Sequence, residues 1–200
     1  ADYPTSRDYG VAISGGRVCH TVGSYFADDA YYAGATELAY DEADGWQETA
    51  HVRFSREIGF DRFLSGALAV RGNRMLAATN ASAGAFATVL EDTGSGFVEV
   101  ADVTLPEAAI VDDRITIDDE FGALTARGEL FFVRRDGAGA WALEPVAIEG
   151  EARDVAYDPV ADEVLSGDPD ARFFAGRVRR SAAATGAAVG EYTLPRSLSE

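Results

Sequence analysis

The chain has 200 residues, of which 47% are hydrophobic, and this is sufficient for one well-packed domain. All 17 basic residues are arginine, and 34 acidic residues give a net charge of −17. A field of that sign repels nucleic-acid phosphate and anionic lipid, so neither is expected as a partner. No run of about eighteen apolar residues occurs, so no membrane insertion is expected either.

Four segments along the chain share one pattern. Each begins with a large apolar residue, a small one and another large one, which is the period-2 signature of a strand, and continues through a turn into a second strand. The first strands contain Val11-Ala12-Ile13, Leu68-Ala69-Val70, Ile115-Thr116-Ile117 and Val155-Ala156-Tyr157. The second strands are expected near 18–22, 75–79, 121–125 and 163–166.

A third and a fourth strand follow in each segment. The third opens on Gly34, Gly84, Gly128 or Gly176, which recur 44 to 50 residues apart, and an Asp- or Gly-rich tip leads to the fourth. Repeats of 40 to 50 residues built from short strands are typical of propeller blades. We therefore predict an all-β fold, a small β-propeller of four four-stranded blades in a single domain over residues 1–200. The blades are expected at about 10–53, 67–104, 113–148 and 153–194.

A Gly-led strand, an Asp- or Gly-rich tip and then an aromatic residue resemble the FG-GAP repeats of integrin-α-like propellers, including bacterial secreted ones. The match is clearest over 34–50, with Asp44-Gly45-Trp46 at the tip. The resemblance implies a β-propeller repeat protein that acts as a binding or adhesion module.

The chain departs from that family in two respects. Only Phe121-Gly122 preserves an FG pair, and no Asp-x-Asp-x-Asp-Gly calcium loop is present, so the family's cation sites transfer to no residue here. No cofactor is expected, with calcium on loop acid pairs such as Asp28-Asp29 as the alternative. Family members usually have more blades, so three arrangements stay open: a closed ring of four, a homodimer forming a larger ring, or part of a longer propeller.

A ligand site is expected on the upper face, where the turns between second and third strands and the links between blades lie. Blade 1 carries long insertions there, at 23–33 and 55–66, and extended loops on a rigid scaffold commonly bind ligands. Aromatic rings flanked by acids and arginines suit a protein or carbohydrate ligand. The candidate ligand-binding residues are Tyr25, Asp28, Asp29, Tyr31, Tyr32, Asp61, Arg62, Asp113, Arg114 and Asp154.

Some of these charged residues recur where first strands begin and would ring the mouth of the propeller axis, namely Asp61, Arg62, Asp113, Arg114 and Asp154. Two interpretations stay open for Asp113, Arg114 and Asp154: a lattice of Asp–Arg pairs that ties blade to blade, or a polar ligand site.

No catalytic residue is assigned. His20 neighbours Cys19, but adjacent residues on a strand face opposite sides and cannot act as base and nucleophile. We expect an extracellular or cell-envelope binding module, because the chain opens on Ala1 and not on Met, as after removal of a leader. The alternatives are a secreted hydrolase or lyase that uses carboxylates at the channel mouth, and a structural repeat segment without its own ligand.

Overall fold

A computed structural model of the chain describes residues 10–58, 63–81, 84–106, 111–168 and 176–193. In these residues sixteen strands form four antiparallel sheets, and each sheet consists of four strands that are consecutive in sequence. The sheets are the four predicted blades, so the all-β propeller prediction is confirmed. The described part of the chain contains no helix that could cross a lipid bilayer.

The strands of the four blades have the following bounds. Blade 1 comprises β1 (Val11–Ser14), β2 (Arg17–Ala27), β3 (Ala30–Asp41) and β4 (Gly45–Glu57). Blade 2 comprises β5 (Phe63–Arg71), β6 (Arg74–Ala81), β7 (Gly84–Asp92) and β8 (Phe97–Thr104). Blade 3 comprises β9 (Val111–Ile117), β10 (Phe121–Ala126), β11 (Glu129–Arg135) and β12 (Trp141–Val146). Blade 4 comprises β13 (Asp154–Asp158), β14 (Glu163–Asp168), β15 (Arg177–Ala182) and β16 (Ala188–Thr193).

Aspartate side chains shape the turns of the lower face, where first strands turn into second strands and third strands into fourth. Asp41, Asp92, Asp136 and Asp158 each accept a hydrogen bond at 2.8–2.9 Å from the backbone N–H two residues later. This Asx geometry closes a turn locally, which is why aspartate is favoured there. Many of the chain's acids therefore have a structural role in the turns.

The upper end of blade 1 differs from the sequence prediction. The segment expected as an insertion loop at 23–33 is the outer half of a long hairpin, in which β2 and β3 stay paired up to Ala27 and Ala30. Only Asp28 and Asp29 form the turn, both at positive φ (52° and 64°), a geometry that aspartate tolerates better than most residues. Likewise β4 continues to Glu57 and β5 starts at Phe63, so the 55–66 insertion is mostly strand.

The hydrophobic core consists of three layers, one at each junction between consecutive blades. We call the side of a blade that faces the preceding blade its front and the opposite side its back. Cys19, Ala35 and Phe54 on the back of blade 1 pack against Met75 and Phe97 on the front of blade 2, and the same arrangement joins blade 2 to blade 3 and blade 3 to blade 4. Each blade thereby buries apolar residues on both faces, except at the ends of the series.

Polar contacts connect the same junctions. Asn80 in β6 donates to the carbonyl oxygen of Val111 (3.0 Å) and accepts from its N–H (2.7 Å), which joins blade 2 to β9. Arg56 Nε donates to Asp102 Oδ2 at 2.6 Å, and Ser55 bonds Glu99 through both its N–H and its hydroxyl.

No comparable contact joins blade 4 to blade 1 among the described residues. The inner strands β1, β5, β9 and β13 pack side by side in that order, and this series does not continue from β13 back to β1. No described residue outside these two blades therefore covers the front of blade 1 or the back of blade 4.

One buried ion pair fixes the segment that links blade 3 to blade 4. Arg179 Nη2 lies 3.1 Å from Asp168 Oδ2, both side chains are buried, and Arg179 Nη1 donates to the carbonyl oxygen of Glu151 at 2.9 Å. An added Cβ at Gly150 would lie 2.8 Å from Arg179 Nη2, so the linking segment packs directly on this pair. The guanidinium thus holds the link against blade 4.

We predict that Asp168→Ala lowers the free energy of unfolding by roughly 3 kcal/mol, because it removes the buried carboxylate nearest to the Arg179 guanidinium and leaves the more distant Glu191, 3.9 Å from Nε. The matched control is Asp154→Ala, whose partner Arg114 is exposed, as is Asp154 itself, and which should cost less than about 1 kcal/mol. Urea unfolding followed by tryptophan fluorescence gives both values. Equal values for the two variants would contradict a special role for the buried pair.

Candidate functional site

Residues predicted to bind a ligand lie at the tip of the long β2–β3 hairpin on the upper face. Asp28 is exposed, and its carboxylate Oδ2 accepts a hydrogen bond from Arg53 Nη1 at 3.2 Å. Asp29 is exposed beside it. For Tyr25 the structure describes only the backbone, which pairs with Tyr32 across the hairpin.

The aromatic residues of this hairpin pack mainly against the protein itself. Tyr31 is partly buried, and its ring lies 5.0 Å from that of Phe26. Tyr32 is only 9% exposed, and the Arg53 guanidinium carbon lies 4.5 Å from its ring centroid. Tyr32 therefore has little surface left to stack on a ligand, and Asp28, Asp29 and Tyr31 are the accessible members of this group.

The remaining predicted residues belong to the ring of charges around the axis. Asp61 and Arg62 lie outside the described residues, and Asp113 is described by its backbone in β9 alone. Arg114 Nε lies 3.8 Å from Asp154 Oδ1, with both side chains exposed. This pair joins β9 to β13, which is the geometry of the predicted Asp–Arg lattice, and it leaves both groups accessible to a ligand.

A groove that the sequence did not indicate lies on the opposite, lower face, where blade 3 meets blade 4. It has a volume of about 470 Å³. Three acids, Asp118, Asp119 and Glu120, come from the β9–β10 turn, and Asp162 comes from the β13–β14 turn. Its other lining residues are Phe121, Arg134, Arg135, Tyr157, Ala183 and Ala184.

Two aromatic rings make the floor of this groove rigid. Phe121 and Tyr157 meet edge to face with their centroids 4.8 Å apart, and the Tyr157 hydroxyl donates to Asp162 Oδ1 at 2.9 Å. Burial and the neighbouring carboxylates of Asp162 and Asp118 raise the pKa of Tyr157, so the phenol stays protonated and remains a donor. Arg71 from blade 2 also reaches this point, 5.3 Å from the Tyr157 ring centroid.

The arginines of the groove are already engaged, whereas two of its acids are not. Arg134 donates to the carbonyl oxygens of Ala184 (2.8 Å) and Ala183 (2.5 Å) and lies 3.5 Å from Glu144. Arg135 pairs with Glu91. No arginine in the described ranges comes within ion-pairing distance of Asp119 or Glu120, and both are exposed. The rim of the groove is therefore net negative above an aromatic floor.

A metal site is not evident among the residues described. No three side chains of His, Cys, Asp and Glu in those ranges come together as metal ligands, so calcium binding stays a prediction that calorimetry with calcium would test.

No protein-family model and no curated protein sequence matches the chain. Solved structures match it in fold. Hydrazine synthase from Kuenenia stuttgartiensis has a TM-score of 0.59 at 12% identity, covering 92% of this chain and 48% of that one. Sqt1 from Chaetomium thermophilum has a TM-score of 0.52 at 14% identity, covering 96% and 52% respectively. TolB from Acinetobacter baumannii has a TM-score of 0.50 at 10% identity, covering 94% and 43%.

At sequence identities of 10–14%, the similarity to these solved structures establishes only the fold. The matched structures are of the β-propeller type, which agrees with the four stacked blades. The chain spans about half the length of the structures that it matches.

The single cysteine provides a chemical test of the blade 1–blade 2 junction. Cys19 is fully buried there, and burial together with the charge of Glu37 raises the pKa of its thiol from 9.0 to about 11. We predict that alkylation of the native protein at pH 8 is at least about 100-fold slower than for an ordinary thiol. A cysteine introduced by Val160→Cys at an exposed turn gives the reference rate.

The raised pKa of Cys19 also determines how the free energy of unfolding changes with pH. Because the folded-state pKa lies above the unfolded value, the protonated thiol stabilises the fold fully below pH 9, and this contribution declines as the pH rises towards 11. Equal alkylation rates for Cys19 and the introduced cysteine in native protein would contradict the packed junction.

Proposed function

We propose that this protein is a binding module whose ligand is a positively charged segment of another protein, held in the groove between blades 3 and 4. The observation that carries the proposal is the groove's charge distribution: its arginines are engaged by backbone carbonyls, Glu144 and Glu91, while Asp119 and Glu120 are exposed and unpaired among the described residues. A cationic group entering here meets acids at the rim and the aromatic floor of Phe121 and Tyr157 below.

Rigidity supports a recognition role. The floor rings, the Tyr157–Asp162 hydrogen bond and the Arg134 contacts to blade 4 all hold the groove open without a ligand. A preorganised site loses less conformational entropy on binding, so a modest set of charged and aromatic contacts yields useful affinity. The net charge of −17 adds long-range attraction for a basic partner and faster association.

The hairpin tip on the upper face remains the second candidate surface, with a protein or a carbohydrate as its ligand. Asp28, Asp29 and Tyr31 are accessible there, but the burial of Tyr32 beneath Arg53 reduces its aromatic area. The two surfaces lie on opposite ends of the blades, so a variant of one is the control for the other.

The test is calorimetric titration with a short arginine-rich peptide and, separately, with a panel of neutral oligosaccharides. We predict that the double amide Asp119→Asn and Glu120→Gln weakens peptide binding at least about tenfold at physiological salt, because two unpaired rim charges are lost. The control, Asp28→Asn with Asp29→Asn, removes the same charge at the upper face and should leave the affinity within about twofold.

Each other outcome contradicts the groove. Equal losses for the two double variants would mean diffuse attraction to an acidic surface. Loss only in the upper-face variant would transfer the site to the hairpin tip, and oligosaccharide binding sensitive to that variant would identify a carbohydrate ligand. The absence of any binding, together with turnover of a polysaccharide or ester that the Asp154→Asn variant abolishes, would favour the hydrolase or lyase alternative.

An extracellular or cell-envelope location is also part of the proposal, as are an adhesive role and kinship with FG-GAP propellers. These three rest on the sequence pattern, and fractionation of the native host with an antibody to this protein would test the location.

A further inference from the structure

Blade 1 presents an apolar front face to solvent. Val11 and Ile13 in β1 are 61% and 73% exposed, and Tyr40 and Trp46 at the outer hairpin are 63% and 57% exposed. The strand registers place all four side chains on the same side of the sheet, with Ile13 opposite Val18 and Tyr40 opposite Trp46. A face of this kind on a soluble protein usually marks an interface.

The equivalent faces of the other blades are covered. In blade 2, Leu68, Met75 and Phe97 occupy the register positions of Val11, Val18 and Trp46, and all three are buried against the back of blade 1. The fronts of blades 3 and 4 pack in the same way on the backs of blades 2 and 3. The front of blade 1 thus has the composition of a blade junction, but within the described ranges no other blade packs against it.

Two of the junctions share a specific contact between an arginine and an aromatic ring. Arg17, the first residue of β2, lies with its guanidinium carbon 5.4 Å from the ring centroid of Phe97 in blade 2. Arg74, the first residue of β6, lies 5.5 Å from the ring of Trp141 in blade 3. Trp46 occupies the same register position in blade 1, and no arginine among the described residues stacks on it.

The back of blade 4 offers the matching groups. Its inner strand exposes Ala156, and Leu165 and Val178 on the same side are only partly buried. Arg180, also on this side, is held by both carboxylate oxygens of Glu163 (2.5 and 2.7 Å) and lies 5.6 Å from the ring of Tyr192. Arg180 itself lies opposite Leu165, but Glu163 occupies the register position of Arg17 and Arg74 and holds the guanidinium there.

We propose that the front of blade 1 binds the back of blade 4 of a second copy of this chain, with Arg180 of one copy stacking on Trp46 of the other. The contact is heterologous, because the two surfaces that meet are different. In a dimer with a two-fold axis the contact forms twice, once between each blade 1 and the blade 4 of the other copy. The product is a closed ring of eight blades in which every blade has both faces covered. This assembly is independent of the proposed groove, which lies within one chain at the blade 3–blade 4 junction.

Light scattering tests the assembly first. The monomer has a mass of 21.2 kDa, and we expect a species of twice that mass. Trp46→Ser and, separately, Ile13→Asp should weaken the dimer at least about tenfold, because each removes a large apolar contact from the proposed interface. The control is Val160→Ser, which replaces a 94% exposed apolar residue at a turn outside both faces and should leave the dimer intact.

Directed crosslinking tests the orientation. Chains carrying Ile13→Cys mixed with chains carrying Ala156→Cys should form a disulfide-linked heterodimer under mild oxidation, because inner strands of consecutive blades lie side by side. Either variant alone should form far less, and the buried Cys19 should not compete.

Three results would overturn the proposal. A monomer at all concentrations would mean that no second copy covers the face. A dimer indifferent to Trp46→Ser and Ile13→Asp would place the interface elsewhere. A ladder of larger species that grows with concentration would mean that the contact propagates without closing. Circular dichroism of each variant identifies any loss of fold, and peptide titration of the groove reports separately on the proposed function.

Discussion

The structure depends on one constraint: where two consecutive four-stranded sheets meet, the facing sides of both are apolar and must be buried against each other. Small residues allow the sheets to approach closely. Ala77, Ala78 and Ala87 are fully buried at the centre of blade 2, and an added Cβ at Gly122 would lie 2.6 Å from the Leu76 side chain. Because packing is this tight, the relative position of neighbouring blades is fixed by side-chain volume, and so is the position of every turn that lines a groove or an edge.

Charge reinforces this packing. All basic residues are arginine, whose planar guanidinium bonds a carboxylate and stacks on a ring at the same time. Arg17 does both at the first junction, where it contacts Asp92 and lies over Phe97, and its bond to Asp92 lowers the pKa of that carboxyl. A chain with twice as many acids as bases therefore places several of its cations at blade junctions, whereas others, such as Arg53 and Arg177, pair with acids of their own blade.

Local patterns allowed the blades to be predicted from sequence, whereas surfaces formed by distant segments could not be. The alternation in Val11-Ala12-Ile13 and its three counterparts is a property of a few adjacent residues, as are glycine turns, and all four blades follow from them. The sequence predicts that the tyrosines near Asp28-Asp29 lie in an insertion loop between the second and third strands of blade 1. In the structure they pair across strands, Tyr25 with Tyr32 and Phe26 with Tyr31.

The groove shows more clearly what cannot be predicted from local sequence patterns. Its lining comes from turns and strand ends of two blades, and Arg71 reaches it from a third. Asp119, Tyr157 and Asp162 are brought together only by the tilt of blade 4 on blade 3. The one local signal was the acid run at 118–120, which is indistinguishable in sequence from an ordinary solvated turn. To predict this site one must know how the blades pack against each other, because the sequence repeat that identifies the blades does not contain this information.

One repeat position connects the junctions, the groove and the open face. The first residue of the second strand is Arg17 in blade 1, Arg74 in blade 2, Phe121 in blade 3 and Glu163 in blade 4. In the first two blades it stacks on the next blade as a cation. In blade 3 a phenyl ring takes its place against Tyr157. Arg71 of blade 2 pairs with Asp118 of the adjacent turn at 3.5 Å, but no arginine among the described residues pairs with Asp119 or Glu120, and the groove keeps its negative rim. In blade 4 the acid instead holds Arg180 at the surface, which leaves a cation available to a further blade. The residue at this one position of the repeat thus distinguishes the two closed junctions, where it is arginine, from the groove and the open face, where it is Phe121 or Glu163.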